Sequence, residues 1–77
     1  MKKFITVLRA RLSGLIEKQV KDHRLQSIRI VLKSGKEYWA LARSVEADFF
    51  VINIAHTGGS QEDVAVRFAD VATFSMN

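Results

Sequence analysis

The sequence predicts a mainly β domain with one helix: an N-terminal α-helix followed by a five-stranded, strongly bent antiparallel sheet forming a small open barrel. Three observations lead there. Apolar residues as far as Val20 recur at steps of three and four, the period drops to two after Gln26, and five short apolar runs then follow between turn-forming residues. With 77 residues the chain has room for one hydrophobic core, so residues 1–77 are read as a single domain. Several short strands after one helix bury their apolar faces most economically in a curled sheet with the helix covering one end.

The helix is expected at about residues 3–22. Ile5, Leu8, Leu12, Leu15, Ile16 and Val20 fall on one side, while Lys3, Arg9, Arg11, Ser13, Glu17, Lys18 and Lys21 take the other. Gly14 interrupts it at a cost of about 1 kcal/mol relative to alanine. The first strand is placed at about 26–34, where Ile28, Ile30 and Leu32 alternate with Arg29, Val31 and Lys33 before the turn Ser34-Gly35-Lys36. A second strand at 37–45 and a third at 49–56 are rich in aromatic and β-branched residues and are parted by Glu46-Ala47-Asp48. Thr57 to Asp63 reads as a loop, and strands at 63–68 and 71–76 follow, divided by Ala69-Asp70. Among Tyr38, Trp39, Phe49, Phe50, Phe68 and Phe74 some must face outward, because neighbours along a strand point to opposite sides.

A domain this small is marginal without a staple, and this one has no cysteine. Disulfides, thiolate metal sites and a thiol nucleophile are thereby excluded, and the chain suits a reducing, cytoplasmic setting. With no proline to block them, the terminal strands present open edges that invite pairing with further copies, so a homo-oligomeric ring is expected. The net charge of +4 is uneven: residues 1–24 hold seven Lys/Arg against two Asp/Glu, and residues 25–77 hold five against six. Lys2, Lys3, Arg9, Arg11 and Lys18 form a basic helix patch suited to sequence-independent phosphate contacts. The opening Met1 to Leu8 loosely resembles an export signal, but Arg9 and Arg11 break its apolar run, and no stretch reaches membrane-spanning length. No membrane partner is expected.

Catalytic and cofactor motifs are weak. Ser34-Gly35-Lys36 lacks the upstream glycine, following hydroxyl residue and helix of a P-loop, and Gly58-Gly59 opens no helix. Two histidines without partner spacing make no metal site, and nothing resembles a nucleophile elbow, so neither an enzyme nor a cofactor is expected.

Two segments resemble the motifs of the Sm-like superfamily, an SH3-like barrel family that includes Sm, LSm and bacterial Hfq proteins. The first runs from Ile28-Arg29-Ile30-Val31-Leu32-Lys33-Ser34-Gly35-Lys36 to Leu41-Ala42-Arg43-Ser44-Val45-Glu46-Ala47-Asp48-Phe49-Phe50-Val51-Ile52, and its Phe50-Val51-Ile52 portion is especially Hfq-like. The second is Val66-Arg67-Phe68-Ala69-Asp70-Val71, with Arg67 at the basic position. The resemblance implies a ring of roughly five to seven subunits that binds single-stranded RNA around its pore and performs no catalysis. It further implies that Phe50 stacks on a base, Arg67 clamps it, Asp48 organises the pocket and Phe68 stands where Sm proteins have glycine and Hfq has histidine. The family's base-reading asparagine has no counterpart, so uracil readout is not implied. A structural or adaptor ring that has lost RNA binding is the alternative.

Overall fold

The computed structural model describes residues 2–76. Helix α1 (Lys2–Lys21) is followed by β1 (Ile28–Leu32), β2 (Glu37–Val45), β3 (Phe49–Ala55), β4 (Gln61–Arg67), a 3-10 turn (Phe68–Asp70) and β5 (Val71–Met76). All strand pairs are antiparallel, in the order β4-β3-β2-β1-β5. The chain is therefore mostly β with one helix, as its periodicities predict.

The sheet must curl, and the connection between β4 and β5 shows why. These strands are consecutive in sequence yet occupy opposite edges. In a flat sheet the edges would stand roughly 19 Å apart at about 4.8 Å per strand, beyond the reach of a three-residue turn at about 3.3 Å per residue. Curvature brings the edges together, and the sheet stays open because β4 and β5 do not pair with each other. Two register shifts supply the bend. Arg43 is the extra residue in β2 between Ala42 and Ser44, and Ala72 is the extra residue where β5 faces Val31 and Leu32.

Leu8, Leu12 and Leu15 of α1 lie against Ile28 and Ile30 of β1, Ala40 and Ala42 of β2, Phe50 and Ile52 of β3, Val66, Phe68 and Val71. Each fully buried aliphatic side chain contributes about 1.5–3 kcal/mol of transfer free energy. Small Ala40 and Ala42 give the helix room to approach β2, and Gln19 Nε2 donates to the Ala42 carbonyl at 3.1 Å. Val20, expected on the buried side of the helix, is exposed beside an apolar groove lined by Ile16 and Val45, because the core contacts end one turn earlier at Leu15 and Ile16.

Several element ends differ from the sequence reading. The helix covers residues 2–21 in place of 3–22. β1 stops at Leu32 because Lys33–Lys36 close a turn, in which Leu32 N–H donates to the Lys36 carbonyl and Gly35 N–H to the Leu32 carbonyl, with Gly35 at φ 94°. β1 also begins two residues later than expected, where β5 supplies Met76 as the partner of Ile28. The segment 61–63, read as loop, belongs to β4: Ala55 pairs with Gln61 across a tight turn, and His56 N–H donates to the Ser60 carbonyl at 2.8 Å. β4 ends at Arg67, one residue short of the expected 68, because Phe68 turns into the 3-10 segment.

Candidate nucleic-acid interface

The curl of the sheet brings three segments together: the start of α1, the β2–β3 connection at residues 46–48, and the 3-10 turn between the edge strands. Phe68 N–H donates to the Asp48 carbonyl at 3.1 Å, and Lys33 N–H donates to the Asp70 carbonyl at 2.8 Å. The turn is thus tied to the β2–β3 connection on one side and to the residue that follows β1 on the other. Between these segments lies a hollow of about 320 Å³ lined by Ile5, Arg9, Ala47, Asp48, Arg67, Phe68 and Ala69.

Three of the four residues assigned to RNA from the resemblance, Asp48, Arg67 and Phe68, line this one hollow. Arg67 closes β4, is exposed, and has no ion-pair partner among the described residues. Asp48 is exposed at the mouth through its side chain while its carbonyl holds the turn. Phe68 is buried and forms the apolar floor. Phe50 lies beneath that floor at 0% exposure, its ring centroid 5.1 Å from that of Phe68. In the single chain Phe50 therefore belongs to the core under the hollow, and its ring presents no face to solvent. The exposed aromatic of β3 is its neighbour Phe49, 37% exposed and directly opposite Arg67 in the β3–β4 register.

The basic helix patch divides. Arg9 Nη1 donates to the Glu46 carbonyl at 2.8 Å and Nη2 to the Ala47 carbonyl at 2.9 Å, while its guanidinium carbon sits 4.7 Å from the Phe68 ring centroid. Arg9 therefore braces the β2–β3 connection and caps the floor with a cation–π contact. Lys3, Arg11 and Lys18 are exposed, and Arg11 and Lys18, two turns apart, share one side of the helix. Lys2 begins the helix, and its side chain lies outside the described residues. A further cation, Lys33, borders an adjoining apolar hollow of about 410 Å³ that shares Ile5, Phe68 and Ala69 with the first.

Two features of this site escape a reading by resemblance. Strand parity identifies Phe49, since Phe50, Ile52 and Ile54 share a face that excludes polar Asn53, and Phe49 shares Asn53's side. Arg9's bracing role has no local signal, because its partners lie 37 and 38 residues away. The charges here are chemically suited to an anion over an apolar floor: two guanidinium groups and one carboxylate around Phe68 leave a net positive hollow.

Comparison with known proteins finds no matching family, no matching curated protein and no matching solved structure. No helix among the described residues is long and apolar enough to cross a membrane.

Proposed function

We propose that this chain is an Sm-like protein that assembles into a homo-oligomeric ring and binds single-stranded RNA, without catalysis, in the cytoplasm. The observation that carries this reading is the convergence of Arg67, Asp48, Phe68 and Arg9 on one positively charged hollow, although they come from three separate segments. The two sheet edges, β4 and β5, give the ring its means of assembly: each presents a row of backbone donors and acceptors unpaired within the chain. Repetition of the hollow around a ring of roughly five to seven subunits multiplies its positive field and aligns successive sites along one strand. Arg67 supplies the phosphate or base contact, and Phe49, standing opposite it, replaces Phe50 as the aromatic available for stacking.

A second reading is a structural or adaptor ring that does not bind RNA. It is favoured by the burial of Phe50 and by the use of Arg9 to hold backbone carbonyls.

Fluorescence anisotropy with labelled A-rich and U-rich single-stranded RNA, repeated over a salt series, separates the two. The RNA-binding reading predicts affinity that falls steeply with salt and weaker binding of duplex DNA. In Arg67→Ala it predicts a salt slope smaller by about one for every phosphate that Arg67 neutralises. Absence of binding at low salt to both RNAs selects the structural ring.

A further inference from the structure

The charged groups that line the hollow at Phe68 differ in what they are free to do. Arg9 is taken up by two backbone carbonyls and by the Phe68 ring. Asp48 and Arg67 are exposed, and neither side chain has a hydrogen-bond or ion-pair partner among the described residues. They line one hollow without pairing with each other, and Ile5, Ala47, Phe68 and Ala69 make the rest of its lining apolar. A carboxylate only accepts hydrogen bonds and a guanidinium only donates them, so the hollow offers one free group of each kind over an apolar floor. Its volume of about 320 Å³ stands at the small end of ligand pockets, which run from roughly 300 to 1,000 Å³.

An acceptor and a donor held apart over one floor select among the four bases. Guanine alone presents two adjacent donors, N1–H and the N2 amino group, which a carboxylate receives with both oxygens, and its O6 and N7 are the acceptors that arginine contacts most often in specific recognition. Adenine and cytosine set a ring acceptor beside their amino group, and uracil flanks its N3–H with two carbonyls, so each of them brings a lone pair against the carboxylate. We infer that the hollow reads guanine: Asp48 accepts from N1–H and N2–H of the base, and Arg67 donates to its O6 and N7 edge. The assignment rests on the reading of this hollow as an RNA site and adds to it the base that the site prefers. Strands without guanine are then held through their phosphates alone, and more weakly.

Inosine lacks the N2 amino group and 7-deazaguanine carries carbon in place of N7, so each removes one contact and leaves the rest of the nucleotide unchanged. Fluorescence anisotropy at one low salt concentration compares a uracil-rich single strand carrying isolated guanines with the same strand carrying inosine or 7-deazaguanine. The parent, Asp48→Ala and Arg67→Ala are measured, with circular dichroism confirming that all three are folded. The parent should bind the guanine strand about tenfold more tightly than the inosine strand, and Asp48→Ala should bind the two alike. The 7-deazaguanine strand should bind the parent several-fold more weakly than the guanine strand, a difference that Arg67→Ala abolishes. Equal binding of the guanine and inosine strands by the parent overturns the assignment, as does a guanine preference that persists in Asp48→Ala or an affinity indifferent to the loss of N7. Those results leave the RNA reading standing, whereas a parent that binds none of the strands removes that reading and this inference with it.

Discussion

Arg9 binds two carbonyl oxygens and one aromatic ring, and Arg11, two residues on, binds none of these. Arg9→Ala leaves the Glu46 and Ala47 carbonyls without their donors and uncovers Phe68, so urea denaturation should show a drop in stability of about 1–2 kcal/mol, discounted for partial exposure. Arg11→Ala, on the exposed side, should stay within about 0.5 kcal/mol of the parent. The same measurement tests Phe50. As a fully buried ring packed on Phe68, its truncation in Phe50→Ala should cost about 3–5 kcal/mol, far more than any change in binding. A stable, folded Phe50→Ala protein with selectively weakened RNA affinity would return Phe50 to the site. Its inward orientation was legible in the sequence, since Asn53 fixes which parity of β3 faces outward; family resemblance alone puts the stacking role on Phe50, the buried member of the Phe49-Phe50 pair. The resemblance names Arg67 and Asp48, which line one hollow, but Arg9's brace was not legible, because it depends on a contact set by the curl of the sheet.

At the scale of elements, glycine gives two substitutions of opposite sign. Gly14 lies inside α1, and a Cβ built on it meets nothing within 4 Å. Gly14→Ala should therefore stabilise the protein by about 0.5–1 kcal/mol through backbone entropy. Gly35 holds the β1–β2 turn at φ 94°, where Gly35→Ala should cost about 1–2 kcal/mol although space is available. Thermal melts of the two variants, shifted in opposite directions, check both. Elements with a strong period were legible: the 3.6-residue repeat of α1 and the alternation Ile28, Ile30, Leu32 each identify a buried face. Ends were less so, for a physical reason. Gln61, Glu62 and Asp63 are polar and read as loop, yet pairing with Ala55, Ile54 and Asn53 draws them into an edge strand whose outer side is exposed. Such a strand is made by its neighbour's hydrogen bonds and leaves little apolar pattern of its own.

For the whole molecule, charge, curvature and open edges have separate consequences. The basic surplus in residues 1–24 sits on and just beyond α1, curvature gathers the hollow at one end of the sheet, and the edges at β4 and β5 remain available for other copies. One helix and five strands in order were legible from period and turn residues; the open curl followed from short strands in a small chain. Assembly joins these features into the proposed function, because a small core without disulfides gains stability by pairing edges and only a ring repeats the hollow about an axis. Native mass spectrometry of the purified chain with a single-stranded RNA oligonucleotide tests this most directly. The account predicts a discrete assembly of roughly five to seven chains carrying bound RNA. A chain that flies as a monomer, or a ring that never carries RNA, would contradict it.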